Sequence, residues 1–170
     1  IGLPLAVLAA PDDARFAVYE MGAGKPGDIA YLTAIARPDV SLVNNIAPAH
    51  LERMGSLQGV AETKGAIHDA LPADGVAVVN ADDSFAAYFI ERLHDRRVLR
   101  FGIGANADIH ARDIRIDAEG SRFVLVSPQG EVEVALPMAG RHNVANALAA
   151  ASMALAVGAS LAQVRAGLES

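Results

Sequence analysis

The sequence contains no cysteine and no tryptophan, and aromatic residues make up only 5% of its 170 residues. The absence of cysteine excludes disulfide bonds and thiolate metal sites. Long apolar runs are also missing, because Asp, Arg or Gly interrupts them well before the roughly 20 residues that a membrane-spanning helix needs. No cleavable signal sequence is visible. We therefore expect a cytoplasmic protein that has no membrane partner.

Positive charge is scarce as well. Lys and Arg together number 14 against 20 Asp and Glu, so the formal net charge is −6, and the sequence contains no basic cluster. A surface that binds nucleic acid needs such a cluster. We therefore expect no nucleic-acid partner. The composition is more typical of a monomer that binds a small molecule than of a nucleic-acid-binding protein.

Hydrophobic residues make up 52% of the chain, which is enough for one core and a small additional subdomain. Apolar runs and helical periodicity alternate over residues 1–97, which indicates α/β architecture with a mostly parallel sheet flanked by helices. The predicted strands are Phe16–Met21, Val40–Ile46 and Gly75–Asn80. The predicted helices are Asp28–Ala36, Leu57–Leu71 and Asp83–His94, the last with Asp82 or Asp83 as its N-cap.

The pattern changes over residues 98–138, where short alternating runs are separated by turn residues. The predicted turns between the last three runs are Asp117-Ala-Glu-Gly120 and Ser127-Pro-Gln-Gly130. This pattern predicts hairpins and thus a small antiparallel β-subdomain. Its predicted strands are Val98–Ile103, Ile109–Ile116, Phe123–Ser127 and Val132–Leu136. Residues 139–170 return to helical periodicity, with predicted helices at Asn143–Val157 and Leu161–Leu168.

Several polar residues follow the predicted strands, at the sheet edge where α/β proteins bind ligands. Glu20 and His50 stand at such positions, and Lys64 shares a helix face with Val60 and Ile67. A carboxylate, an imidazole and a lysine together indicate a metal and phosphate site. Asn143 and Asn146 lie about one helical turn apart, so both can face one ligand.

Each of these residues also has a simpler interpretation. Glu20 can be a loop or capping carboxylate, His50 a packing residue and Lys64 a solvated surface lysine. The His-Asn pair before the predicted helix at Asn143 can form an N-cap. An Asx turn can account for Asn80.

Five segments in order and spacing resemble the central ATP-binding domain of the Mur ligase family, and the resemblance covers nearly the whole chain. The segments are Glu20-Met-Gly-Ala23 with Pro26-Gly-Asp28, Asn44-Asn-Ile-Ala-Pro-Ala-His-Leu-Glu52, Lys64-Gly65, Asn80-Ala-Asp82 and Gly140-Arg-His-Asn-Val-Ala-Asn-Ala147. The resemblance implies a P-loop NTPase-like fold and two cofactors, ATP and Mg²⁺. It also implies a reaction in which ATP phosphorylates a carboxylate and an amine then displaces phosphate from the acyl phosphate.

The resemblance further implies roles for single residues. Glu20 would hold a magnesium ion, His50 would hold a second one, and Lys64 would be carbamylated into an anionic metal ligand. Nucleotide contacts are implied for four more residues, with Asn146 at the adenine: Asn45, His142, Asn143 and Asn146.

The glycine-rich phosphate-binding motif G-x-x-x-x-G-K-[ST] occurs nowhere in the sequence, and the chain begins at Ile1 without Met. We therefore expect a piece of a longer protein that is inactive alone. Within the family, Ala49 and the loop 22–27 favour the branch that joins UDP-MurNAc-tripeptide to D-Ala-D-Ala for peptidoglycan synthesis. Another Mur ligase, folylpolyglutamate synthase and a non-catalytic scaffold domain remain as alternatives.

Overall fold

The computed structural model describes residues 2–48, 51–104 and 106–170. It contains two three-stranded sheets, one parallel and one antiparallel, with helices on the faces of the parallel sheet. The predicted fold class is thereby confirmed. The elements in chain order are α1 Gly2–Leu8, α2 Asp28–Ala36, β1 Val40–Val43, α3 Leu51–Met54, α4 Leu57–Asp69, β2 Val76–Asn80, α5 Ala86–Leu93, β3 Arg97–Phe101, β4 His110–Ile116, β5 Ser121–Ser127, β6 Gly130–Leu136, α6 Arg141–Ala156 and α7 Leu161–Leu168.

The parallel sheet has the strand order β1-β2-β3, with Val40 opposite Val76 and Val76 opposite Arg97. The central strand β2 is buried on both faces over residues 76–79, which explains its unbroken run of small apolar residues. Helices α4 and α5 cover one face with a core that includes Phe89 and Leu93. Helix α6 lies on the opposite face.

The antiparallel sheet has the order β4-β5-β6 and shares one core with α6 and the parallel sheet. Val78, Leu125 and Leu148 belong to this core and are fully buried. Strand β5 alternates strictly between buried and less buried residues, as the sequence pattern predicted. Helix α6 is therefore the layer that joins the two sheets.

Two predicted strands differ from the structure. Phe16–Met21 forms no strand, and Phe16 and Val18 are 60% and 85% exposed, so the prediction of a buried strand is wrong. The apolar run is real, but a strand also needs a paired neighbour, and the segment has none in the described part of the chain. Val98–Ile103 was predicted in the antiparallel subdomain, yet β3 pairs in parallel with β2.

The start of α5 also differs from the prediction. The helix begins at Ala86, and its N-cap is Phe85 rather than Asp82 or Asp83. The Asp83 carboxylate instead accepts hydrogen bonds from the backbone N–H groups of Phe85, at 2.8 Å, and of Ile46, at 2.7 Å. Across the described ranges, no helix combines the length and apolar content needed to cross a membrane.

Candidate functional site at the carboxyl edge of the parallel sheet

Asparagine side chains join the carboxyl ends of β1 and β2. Asn80 ends β2, and its Nδ2 donates to the carbonyl oxygen of Asn44 at 2.9 Å. Its Oδ1 accepts from the backbone N–H of Asp82 at 2.9 Å, so the predicted Asx turn is confirmed. One amide therefore shapes its own turn and ties two neighbouring loops together.

A second set of contacts ties the end of β3 to the same edge. The Asp82 carboxylate accepts a hydrogen bond from the backbone N–H of Ile103 at 2.6 Å. A Cβ atom at Gly102 would lie 2.9 Å from Asp82 Oδ1, so a larger residue there would displace the Asp82 carboxylate from this position. Because Asp83 binds the Ile46 backbone, the loops after all three parallel strands are linked. These links make the edge a preformed site.

Lys64 projects from α4 toward this edge. Ser56 begins the helix as its N-cap and accepts from the Gly59 backbone N–H at 3.1 Å. Two turns later, the half-buried Lys64 donates from Nζ to the carbonyl oxygen of Asn45 at 3.1 Å. The amine therefore lies beside the chain that follows β1, and not on the outer face of the helix.

Glu20, Asn45 and Lys64 line one cavity of about 400 Å³. The cavity lies between the segment 17–21, the helices α2, α4 and α6, and strand β1. Its walls are largely apolar, and Glu20, Asn44, Asn45 and Lys64 are among its polar lining residues. Its full lining is Ala17, Val18, Tyr19, Glu20, Met21, Ala23, Ile29, Ala36, Pro38, Val40, Leu42, Val43, Asn44, Asn45, Lys64, Ile67 and Met153.

His50, the predicted second metal ligand, lies outside the described residues together with Ala49. Residues 2–48, 51–104 and 106–170 contain no group of three His, Asp or Glu side chains close enough to hold a metal ion. Glu20 offers the hard oxygen ligands that Mg²⁺ prefers. An ammonium group at Lys64 would repel the ion, whereas a carbamate there would supply a second carboxylate-like group.

The asparagines of α6 do not act as a pair. Asn146 Oδ1 accepts from Asn44 Nδ2 at 3.0 Å, which connects α6 to the end of β1. Asn143 Nδ2 donates to the carbonyl oxygen of Ala139 at 2.9 Å and so closes the start of its own helix. The N-cap is Gly140, so the interpretation of the His-Asn pair as an N-cap is wrong. His142 is exposed.

The loop after Glu20 is ordered by Asp28, the first residue of α2. Its carboxylate accepts from the backbone N–H groups of Gly24 at 2.9 Å and Lys25 at 3.0 Å. The bond from Gly24 holds the pKa of the Asp28 carboxyl below its usual range. Gly27 completes the turn with a φ of +87°.

Asn44 and Asp28 lie in the segments that resemble the Mur ligase family, but the sequence patterns predicted no role for either residue. A local signal for each role is nevertheless present in the sequence. Asn44 comes directly after an apolar strand, and Asp28 is an acidic residue in the first turn of a helix.

The family model described as the Mur ligase middle domain matches residues 1–154. Among individual relatives, the UDP-N-acetylmuramoyl-tripeptide--D-alanyl-D-alanine ligase of Escherichia coli (strain K12) is 44% identical over 169 residues. That match covers 99% of this chain and 37% of the relative. The chain therefore spans little more than a third of the length of that protein.

Solved structures give the same result. MurF from Acinetobacter baumannii superposes with a TM-score of 0.94 at 37% identity, covering 99% of this chain and 37% of that one. MurF ligase from Thermotoga maritima, solved in complex with ADP, has a TM-score of 0.73 at 28% identity and covers 83% of this chain and 33% of its own. The asparagine-linked sheet edge described above thus belongs to a middle domain, and the chain is a member of the Mur ligase family.

Proposed function

We propose that the polypeptide containing this domain is an ATP-dependent amide ligase of peptidoglycan precursor synthesis. It would join D-Ala-D-Ala to UDP-MurNAc-tripeptide through an acyl phosphate, as a cytoplasmic monomer. The observation that carries the proposal is the convergence of Glu20, Asn45 and Lys64 on one cavity. The name of the E. coli relative and the ADP complex of the T. maritima structure support the choice of substrates.

In this proposal the Glu20 carboxylate would hold one Mg²⁺ beside the transferring phosphate, His50 would hold a second, and a carbamylated Lys64 would supply an anionic metal ligand. Bound magnesium would neutralise the charge that develops as the phosphoryl group moves between oxygen atoms. The structure supports the position of Lys64, because its amine donates to the Asn45 carbonyl oxygen at 3.1 Å, beside the chain that follows β1.

Nucleotide contacts are proposed for four residues, with Asn146 at the adenine: Asn45, His142, Asn143 and Asn146. The Asn44–Asn146 hydrogen bond supports this proposal because it holds α6 next to the strand that leads to Asn45. Asn146 Nδ2 can still donate to a ligand while its Oδ1 accepts from Asn44. Asn143 would act indirectly, by closing the turn at which α6 begins.

The test uses the full-length polypeptide and measures amide formation and phosphate release. Glu20→Gln keeps the shape of the side chain but removes its charge, and we expect turnover to fall at least about 100-fold because a metal ligand is lost. Lys64→Ala should lose activity equally and regain part of it when acetate is added, since acetate can occupy the vacated anionic site. Circular dichroism of both variants should stay close to that of the unmodified enzyme.

Matched controls separate the site from general charge effects. Glu119→Gln changes an exposed carboxylate in the β4–β5 turn, and Lys25→Ala removes the other lysine of this chain, which is exposed. Both should keep nearly full turnover. Wild-type activity in Glu20→Gln, or in Lys64→Ala without acetate, would contradict the proposed metal site.

A further inference from the structure

A buried hydrogen bond joins β1 to α4 through two residues that do not line the cavity. Ser41 Oγ and His68 Nδ1 lie 2.7 Å apart, and both residues are only 1% exposed. The His68 ring packs edge-on against Phe89, with ring centroids 5.5 Å apart. Its Nε2 is buried and has no hydrogen-bond partner among the described residues.

This arrangement is costly for a core. Burial lowers the pKa of the His68 imidazole to about 4, so the ring is neutral near pH 7. A buried ring nitrogen without a partner forfeits the hydrogen bond that it makes in water. An apolar side chain of similar size would avoid that loss, so stability alone does not account for a serine and a histidine here. A directional bond does offer something that apolar packing lacks, namely a fixed alignment of two elements.

The same two elements meet again at the cavity. Lys64 precedes His68 by one helical turn and lies on the same helix face, while Asn45 follows Ser41 by four residues along β1 and its continuation. The strand advances about 13 Å between Ser41 and Asn45. The helix advances only about 6 Å between His68 and Lys64. The long lysine side chain spans the remaining distance, so its reach depends on where α4 is fixed along β1.

We propose that the Ser41–His68 hydrogen bond sets the alignment of α4 along β1 and thereby positions the Lys64 amine against the Asn45 carbonyl. Ser41 and His68 are positioning residues in this account, since neither lines the cavity. The effect on turnover rests on the proposed function, whereas the effect on the Lys64 amine does not.

The test compares Ser41→Thr with Ser41→Val in the full polypeptide. The two side chains have nearly the same shape, and only threonine keeps the hydroxyl. Reductive methylation followed by peptide mapping measures the reactivity of Lys64, with the exposed Lys25 as an internal reference. We expect Lys64 to react about fivefold faster in Ser41→Val than in Ser41→Thr, as the loss of one buried hydrogen bond implies, and Lys25 to react equally in both.

A matched control removes effects of general destabilisation. Val134→Ala weakens the core shared by α6 and the antiparallel sheet, to which no residue of α4 belongs, and should leave Lys64 reactivity unchanged at a comparable loss of stability. His68→Leu removes both ring nitrogens and should raise Lys64 reactivity as Ser41→Val does. Equal Lys64 reactivity in the Thr and Val variants would overturn the proposal. So would failure of both Ser41→Val and His68→Leu to fold while Val134→Ala folds, since the bond would then serve stability.

Turnover gives the second measurement. With Lys64 displaced, Ser41→Val should lower kcat more than it raises KM for the substrates, whereas Ser41→Thr should retain most of kcat. Increased Lys64 reactivity with unchanged turnover would agree with the proposal about helix alignment. It would contradict only the proposed role of Lys64 in the reaction. Unchanged reactivity with reduced turnover would contradict the alignment.

Discussion

The parallel and antiparallel sheets are both three-stranded, yet their strands find partners in different ways. Strands β4, β5 and β6 are joined by short turns, and each pairs with its neighbour in sequence. Strands β1 and β2 are separated by two helices, and β2 and β3 by one. The antiparallel half is therefore specified by local contacts, whereas the parallel half depends on segments that are distant in sequence.

The polar groups are distributed accordingly. In the antiparallel half, the buried polar residues on the strands are Ser121 and Ser127, and both bond to backbone carbonyls at the sheet ends. The parallel half buries the Ser41–His68 pair and carries Asn44, Asn80 and Asp83 at its edge. The candidate site thus lies in the half with distant contacts, while the other half supplies a regular core.

The largest expected effect tests this division directly. Leu125→Ala removes a fully buried side chain from the middle of β5 and should lower the free energy of unfolding by about 4 kcal/mol. Val18→Ala removes an apolar side chain from the segment that was predicted as a strand. Because Val18 is 85% exposed, this change should cost less than about 0.5 kcal/mol.

Denaturant unfolding measures both values. A similar loss in the two variants would mean that the segment 16–21 packs as a strand in solution, and the contrast between the two halves would disappear.

Sequence patterns predicted the local features well. The bounds of α2 and α7 match the prediction, and the turns at Asp117–Gly120 and Ser127–Gly130 are confirmed. Alternation predicts an antiparallel strand because turn chemistry and side-chain period are both local. Alternation gave the wrong sheet for Val98–Ile103, because no residue in that run indicates that its partner is β2, some twenty residues upstream.

The candidate site was predicted only in part, for a related reason. Sequence patterns pointed to Glu20, at the end of a predicted strand, and to Lys64, on a predicted helix face, and both line the cavity. The hydrogen bonds that order the site come partly from Asn44 and Asp83, whose partners are distant in sequence and depend on tertiary packing. Asp28 adds local bonds to the loop that precedes it. The Ser41–His68 pair carried no signal at all, because a lone Ser in an apolar strand and a lone His on a helix are ordinary in sequence.

The second prediction concerns the loss of stability at acidic pH. The unfolded imidazole titrates near 6.5 and the buried His68 near 4, so the unfolded state binds more protons between these values. Stability should therefore fall as pH drops from about 6.5 to about 4, by about 3 kcal/mol in total. Burial is the main cause of the low pKa, while Asp69 opposes it and Arg92 adds to it. His68→Leu should flatten this pH dependence.

Hydrogen exchange shows where acid acts. Amides of β1 and α4 should lose protection between pH 6.5 and 4 before those of β5, because His68 packs only in the parallel half. The pKa of the Asp108 carboxyl is lowered by its hydrogen bond from Arg100. Its stabilising effect is therefore lost only as the pH falls below the ordinary pKa of an aspartate. Simultaneous loss of protection in both sheets above pH 4 would contradict this order.

The smallest expected effect compares one helix cap from each half. Ser160 begins α7 with a capping box, in which its Oγ accepts from the Gln163 backbone N–H at 3.3 Å and Gln163 Oε1 accepts from the Ser160 backbone at 2.9 Å. Ser56 begins α4 with a single side-chain bond. Ser160→Ala and Ser56→Ala should each lower stability by about 1 kcal/mol, and the Gly variants by only a few tenths.

The two caps should differ in what they disturb. Helix α7 packs through Val164 into the core shared with the antiparallel sheet, so Ser160→Ala should leave Lys64 reactivity unchanged. Helix α4 carries Lys64 two turns after Ser56, so Ser56→Ala should raise its reactivity modestly through fraying of the first turn. The Ser41–His68 bond near the far end of α4 limits that rise, which should stay below the one expected for Ser41→Val. A larger rise in Ser56→Ala would mean that the cap, and not the buried bond, holds the lysine in place.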